Sequence, residues 1–349
     1  MKRQVNRFDV IFLLIPSLSS IEALNVVANN RADLIKSEIS VWDNVIPPET
    51  RNEVHIQASK SGLSHKAFQR RDRNSQLPTL NRPLIEIVID NILTELGDAA
   101  PKSTDDKVQF VEYWTRQEWR HIEAHADVDE HRAKKEDSQA AATRENNSNL
   151  PFRYPTHGHV LYLKVGTAVE GPTCLFPNIS SGRDLLKAEQ STELVTVPAV
   201  EGRLLRFSGD ILHSVPRPAD LWFLPFVKGS SQMTPEETWG RSVVLFNTWF
   251  GDPPKDVPLD TAKSLGNNEE AHSRVNNRID WDDTFSLEES SANGNVCRDQ
   301  KFGRPAKVWL LGNERRRGYH LRTIKLKAPE ITKELLLEKF KVGIIELTP

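Results

Sequence analysis

The segment RHIEAHADVDEH, residues 120–131, holds three histidines and four carboxylates in twelve positions. Such a stretch suits a metal site, a charged surface helix or a flexible acidic loop. His125 and Asp127 stand two apart. In extended backbone, residues i and i+2 project to one side, so an imidazole nitrogen and a carboxylate oxygen can converge on one ion. A divalent iron site of the facial type takes two His and one carboxylate and leaves its other positions open. The third ligand must then be a His from a distant strand. His213 lies in GRLLRFSGDILHSVPRP (202–218), after a strand and a turn at Ser208-Gly209-Asp210. His121-x-Glu123 is a second pair of the same kind, and HxD alone is a weak signal.

The elements around these residues decide more. From 108 to 250 short apolar runs alternate with Gly and Pro: VQFVEYW, HVLYLKVG, PTCLFP, ELVTVPA, GRLLRFSG, WFLPFV and RSVVLFNTWF. Each is a strand candidate. No helical pattern separates them, so an antiparallel sandwich or barrel is expected rather than a parallel sheet. Upstream, ISVWDNVI (39–46) reads as a strand, and Pro47-Pro48 starts a helix that Gly62 follows. Residues 63–81 read as a polar loop. After Asn81-Arg82-Pro83, Leu84, Ile85, Val88, Ile89, Ile92 and Leu96 form one stripe at helical period and Gly97 ends it. Residues 131–152 read as a polar loop between strands. In the tail, KVWLLG and YHLRTIKLK read as strands, PEITKELLLEKFK as an amphipathic helix and VGIIEL as a final strand.

A chain of 349 residues can bury a full core. Its formal net charge of −2 gives no global field toward nucleic acid or anionic membrane, so no nucleic-acid partner is expected. The two cysteines, Cys174 and Cys297, lie far apart and outside CxxC spacing, which excludes zinc ribbons and thioredoxin-like motifs. Residues 1–30 form a leader. Its basic start, the run VIFLLIP and the segment SLSSIEA have the order of a secretory signal, although Asp9 and Pro16 bound the run and Ile21 is bulky near a cleavage site. A signal of about 23 residues would send the chain to the secretory pathway and ER lumen; without one it is cytoplasmic. The run is too short to span a membrane, and no membrane span is expected elsewhere.

With these pieces in order, the stretch 108–250 resembles the Fe(II)/2-oxoglutarate dioxygenases, in particular the prolyl 4-hydroxylase alpha-subunit-like branch. EAHADVDE resembles the HxD segment, HVLYLKVG with EGPTCLFP the strand and hairpin after it, VEGRLLRFSGDILHSV the strand and loop bearing the distal His, and WGRSVVLFNTWF the strand bearing the basic residue. The resemblance implies an α+β, mainly β fold. A double-stranded β-helix (jelly-roll) core at about 108–251 would sit within a domain of residues 31–251, with N-terminal supporting helices. Residues 252–306 would be an irregular polar excursion and 307–349 a C-terminal strand-helix-strand extension.

The resemblance also implies a site. His125, Asp127 and His213 would be the catalytic iron ligands. Arg241 would pair with the far carboxylate of 2-oxoglutarate, and Tyr162 would add a hydrogen bond to it. An acceptor near each ligand His would orient it, with Asp129 and Glu130 at hand. The cofactors would be Fe(II), 2-oxoglutarate as co-substrate and O2, with ascorbate keeping the iron reduced. The expected reaction is hydroxylation of a peptidyl residue, proline first, in a peptide or protein substrate, with succinate and CO2 as co-products.

Three features depart from the family. Arg241 lies 28 positions after His213, so ADLWFLPFVKGSSQMTPEETW must be an insertion. Val243 stands where some relatives have a Ser. YWTRQEWRHIE replaces the tyrosine segment before HxD. Two alternatives follow: a non-catalytic jelly-roll binding protein, and an iron(II)/2-oxoglutarate oxygenase acting on a small molecule. His157 and His159, which flank Gly158, read as structural or entrance residues rather than ligands. Trp114, Trp119, Trp222 and Trp249 read as core.

Overall fold

A computed structural model describes residues 39–61, 64–70, 82–97, 108–117, 122–132, 153–165, 172–177, 192–215 and 241–259, and five further strands between 282 and 347. The N-terminal leader, the insertion after His213 and the tail helix lie outside the described residues, as does the candidate strand WFLPFV. Among the described residues, no helix is long and apolar enough to cross a membrane.

The chain runs through β1 (Ser40–Asp43), α1 (Pro48–Ser61), β2 (Lys66–Gln69), α2 (Leu84–Glu95), β3 (Gln109–Arg116), β4 (Ile122–His125), β5 (His157–Val165), β6 (Thr173–Phe176), β7 (Thr192–Val197), β8 (Leu204–Ser208), β9 (Leu212–Val215) and β10 (Arg241–Phe250). Five strands follow: β11 (Asp282–Ser286), β12 (Val296–Cys297), β13 (Phe302–Leu311), β14 (Leu321–Pro329) and β15 (Gly343–Leu347). They form a seven-stranded sheet of order β11-β1-β8-β5-β10-β3-β2 and an eight-stranded sheet of order β12-β15-β7-β6-β9-β4-β13-β14. Pairing is antiparallel except at β12–β15 and β13–β4. The fold is mainly β and jelly-roll-like: of β3 to β10, the run β8-β5-β10-β3 lies in one sheet and β7-β6-β9-β4 in the other.

Pro48 opens α1, where a missing N–H costs nothing. Thr50, Val54 and Ala58, one turn apart, turn its buried face inward. Helix α2 ends on Leu96 and then Gly97, whose φ of 77° is the left-handed geometry that glycine adopts without a Cβ penalty. Val54, Ile85, Val88, Ile89 and Ile92 from the helices form one apolar cluster with Leu161, Leu204, Val244 and Phe246 from the seven-stranded sheet. The helices therefore cover the outer face of that sheet, and its inner face meets the second sheet.

Two segments differ from expectation. Residues 63–81, read as a loop, contain β2, which pairs with β3 from Lys66↔Tyr113 to Gln69↔Phe110. Residues 252–306, read as an irregular excursion, contain β11 and β12 and the start of β13. DDTFS has no alternating apolar pattern, and what makes it a strand is its partner β1. Strand pairing is non-local, so four or five polar residues can become a strand wherever an edge accepts them.

Candidate metal centre and the pocket behind it

Strand β4 ends at His125, and Asp127 follows just beyond the strand. Strand β9 lies antiparallel beside β4 with His125 directly opposite His213. The rings of the two histidines are 4.5 Å apart between centroids. His125 Nε2 lies 3.6 Å from Asp127 Oδ1, and His213 Nε2 lies 3.9 Å from Asp127 Oδ2. One donor atom from each residue falls within 4.8 Å of the other two, the spacing of groups that share one ion. All three side chains keep some exposure, between 11% and 19%, so the triad is open on one side.

The hydrogen bonds fix which nitrogen is available. His125 Nδ1 is 2.7 Å from the Glu123 carbonyl, and His213 Nδ1 is 3.1 Å from the Ile211 carbonyl. A carbonyl only accepts, so each Nδ1 carries the proton and donates it. In the neutral ring, each Nε2 then keeps a lone pair aimed toward Asp127. This is the orientation a ligating imidazole needs. Asp129 was a candidate for that orienting role and does not fill it. It is buried and accepts from Arg153 Nη1 at 3.2 Å and from the Arg132 backbone N–H at 3.1 Å.

The charges agree with the donor set. Burial pushes the His213 imidazole down to about 4, and His125 pushes the same way. Asp127 and the Ile211 carbonyl oppose them. His213 is therefore neutral at ordinary pH. Burial pushes the Asp127 carboxyl up. The neighbouring His125 and His213 rings and the Asn247 amide together outweigh it and hold Asp127 well below the usual carboxylate range. Two imidazole nitrogens and one carboxylate suit a divalent cation and leave it with one net positive charge. Phe207 supports the His213 ring at 4.9 Å between centroids. Its own place depends on Gly158, where a Cβ would stand 2.7 Å from the Phe207 ring edge.

Asn247 was not among the expected residues. Its Nδ2 donates to Asp127 Oδ2 at 3.1 Å from across the inter-sheet space. The sequence carried one signal for it. Asn247 is a polar residue in an apolar run, an even number of positions from Arg241 and so on the same face of β10.

Arg241 lies at the start of β10, buried to 4% exposure, and its Nη1 donates to Thr173 Oγ1 at 3.0 Å. The Tyr162 hydroxyl is 2.7 Å from the same Thr173 oxygen, and the guanidinium sits 5.5 Å from the Tyr162 ring centre. Burial lowers the Arg241 pKa from its ordinary value, and Tyr162 and Cys174 oppose the shift. Burial also pushes the free Cys174 thiol up to about 12, against the nearby Arg241 charge, so the thiol is neutral. Val243, at the position of the absent Ser, is buried opposite Tyr162, and the hydroxyls near the guanidinium come from Tyr162 and Thr173 instead. Thr173, too, was missed.

The two groups face one space. Leu175 on β6 pairs with His213, and Thr173 stands two residues away on the same face of the same strand. Two residues of strand span about 6.7 Å. A short dicarboxylate reaches from one to the other.

His157 and His159 take no part in the triad. His157 contacts Arg206, and His159 is buried against Phe246. Trp114 stacks on His65 and Trp249 donates to Glu112, so both belong to the packed inner face. Trp119, Trp222 and His121 lie outside the described residues.

Fold and site together define a mainly β protein with a His-Asp-His candidate metal centre between two sheets and a buried arginine behind it. No protein-family model and no curated protein matches the chain. Among solved structures, it is similar to a prolyl-4-hydroxylase from Pseudomonas putida, at 12% identity and a TM-score of 0.32, over 63% of this chain and 97% of that one. It is similar at 12% identity and 0.32 to a viral collagen prolyl hydroxylase from Paramecium Bursaria Chlorella virus-1, over 62% of this chain and 96% of that one. It is similar at 11% identity and 0.33 to HygX from Streptomyces hygroscopicus with iron bound, over 72% and 95%. At such low identities and scores this likeness carries no weight for function. The residues of the site have to carry it.

Proposed function

We propose that this chain is an iron(II)- and 2-oxoglutarate-dependent dioxygenase whose β3 to β10 strands form a double-stranded β-helix. His125, Asp127 and His213 hold the iron. Arg241, with Tyr162 beside it, holds the far carboxylate of 2-oxoglutarate. The supporting observation is the pairing of a two-imidazole, single-carboxylate donor set with a buried guanidinium about one short dicarboxylate away. Bound iron(II) supplies, with O2, the oxidative decarboxylation of 2-oxoglutarate to succinate and CO2 and the oxidising power for hydroxylating a C–H bond.

The protein's own groups do the rest. The Glu123 and Ile211 carbonyls hold the protons of His125 and His213 on Nδ1, so both Nε2 atoms stay available. The Asn247 amide holds Asp127 in one orientation. Arg241 offers an unusually strong charge-assisted contact because it is buried, where screening by water is weak. Leu175, on the same face of β6 as Thr173, gives the space between the two ends an apolar wall that excludes water. Ascorbate is proposed as the reductant that returns the iron to its ferrous state. The substrate is proposed to be a peptidyl residue, with proline first.

Succinate formation from 2-oxoglutarate with added iron(II) tests this. The wild type should form succinate and the His125→Ala variant should not. A folded, iron-loaded wild type that forms none, with or without peptide, overturns it.

A further inference from the structure

The inner face of the seven-stranded sheet continues past Asn247 to a second group of polar and aromatic side chains, separate from the His125, Asp127 and His213 triad. Glu112 on β3 stands directly opposite Asn247 on β10, the residue whose amide bonds Asp127. Cross-strand neighbours are about 5 Å apart at Cβ, so Glu112 is one residue removed from the triad's own support. Its carboxylate is fully engaged. Oε2 accepts from the Trp249 indole N–H at 3.1 Å, and Oε1 lies 2.7 Å from His65 Nδ1. His65 in turn stacks flat on Trp114, with centroids 4.4 Å apart and planes 4° from parallel.

This arrangement fixes the His65 ring in three ways. A carboxylate only accepts, so Nδ1 of His65 donates to Glu112, and in the neutral ring Nε2 is the acceptor. Trp114 covers one ring face. The ring position itself is set by β2, because Lys66 pairs with Tyr113 and so brings His65 beside Trp114. Glu112 and Trp114 are nearly buried, yet the His65 side chain is 45% exposed. The group therefore ends in a flat, oriented and partly exposed imidazole on the same sheet face as the candidate centre.

We propose that the His65–Trp114 stack, held by Glu112, is the substrate-side recognition surface of this site and that its occupant is a peptide segment. An apolar ring or chain of the peptide lies on the imidazole, and a backbone N–H donates to His65 Nε2. The substrate class rests on the dioxygenase reading. The geometry of the stack does not. An anionic substrate group is a poor match, because the buried Glu112 carboxylate beneath the ring repels a second negative charge. An unbranched hydrocarbon leaves the acceptor unpaired. A peptide backbone with an apolar ring satisfies both halves.

The test is peptide binding to the full chain, loaded with manganese(II) and 2-oxoglutarate so that no turnover occurs. The probes are a panel of short synthetic peptides carrying proline. The wild type should bind at least one, and His65→Ala should weaken it about tenfold, the loss of one hydrogen bond with its packing. His65→Gln, which keeps a donor toward Glu112 and an acceptor outward, should lie within about threefold of wild type. Metal content and peptide-independent succinate formation with iron(II) should not change in either variant. Unchanged affinity in His65→Ala overturns the proposal, and so does a wild type that binds no peptide in the panel. Loss of metal or of peptide-independent turnover in His65→Ala also overturns it, because the residue would then hold up the centre rather than the substrate. Peptide binding that depends on His65 in a protein that forms no succinate would sustain this surface and remove the dioxygenase reading.

Discussion

Along β10, Arg241 and Asn247 turn toward the second sheet, where they meet Thr173 and Asp127. Ser242, Val244 and Phe246, one residue out of step, turn toward the helices. The outer face is closed by apolar packing and by a chain of bonds in which His55 Nδ1 donates to Ser242 Oγ, which donates to Gln117 Oε1, both at 2.8 Å. The inner face instead buries a guanidinium and braces a carboxylate, groups that cost stability when removed from water. One strand thus separates the two demands by its period of two. Apolar burial outside offsets the polar burial inside. Substitutions on the two faces should therefore read out differently, in function inside and in stability outside.

The strongest way to break this contrast is at the inner end of Asn247's bond. Asp127→Ala should abolish stoichiometric iron(II) binding. It should cut succinate formation by more than the roughly 10–100-fold that loss of an outer partner costs a metal site. Metal analysis of the purified, folded variant checks it. Full iron occupancy would remove Asp127 from the donor set.

On the outer face, Phe246→Ala should cost about 3–5 kcal/mol in chemical denaturation, because Phe246 is fully buried in the cluster that joins the sheet to the helices. The surviving folded fraction should keep its 2-oxoglutarate KM within about twofold, since the cavity opens away from the pocket. A large KM change with little loss of stability would mean that the two faces are not independent.

Returning to the inner face, Arg241→Lys should raise the KM for 2-oxoglutarate about tenfold, because Lys keeps the charge but loses the forked donor geometry. Iron binding should be unaltered. If the KM stays level, the Arg241, Thr173 and Tyr162 cluster is packing rather than a co-substrate seat.

How far these residues could be read from sequence follows the same division. His125, Asp127 and His213 stood out by residue type and by the HxD spacing, and Arg241 through the resemblance of the ordered segments around it, although β4 and β9 are only four residues each. Strands β3, β5, β8 and β10 were visible from composition alone, and so were the helix stripe and its Gly97 stop. Asn247 gave only the signal of a polar residue in an apolar run, and Thr173 gave none, because what each does depends on partners that the fold brings to it, Asp127 for Asn247 and Arg241 with Tyr162 for Thr173. His65 and Glu112 were hidden for a further reason. The four residues KAFQ give no periodic signal, and only pairing with β3 turns them into the strand that brings His65 to Trp114. β11 escaped for the same cause. Local pattern announces strands that bury their own faces, whereas strands recruited to an edge are announced by the edge.

The smallest effect lies on the outer face and distinguishes it in pH. His159 is buried, stacks on Phe246 with centroids 4.3 Å apart, and donates from Nδ1 to the Phe246 carbonyl at 3.2 Å. Its Nε2 has no hydrogen-bond partner among the described residues. Burial, then the charges of His157 and Arg206, hold its pKa well below the ordinary imidazole value, against the pull of the Phe246 carbonyl. The sign follows from where the proton goes. Below the ordinary value of about 6.5 the unfolded chain binds a proton at His159 and the folded chain does not, so acid favours unfolding. The stabilising contribution is whole above that pH and is lost as pH falls toward the folded pKa, by at most about 1.4 kcal/mol per pH unit. His159→Phe keeps the stack on Phe246 and removes the titration. Its stability should therefore fall less than that of wild type between pH 7 and pH 5, by roughly 1 kcal/mol in paired denaturation curves of the metal-free proteins. Parallel pH dependence in the two would show that His159 takes up its proton in the folded state as easily as in the unfolded one. The outer face would then be as open to water as the candidate metal centre, and the contrast between the two faces of β10 would fail where burial was its basis.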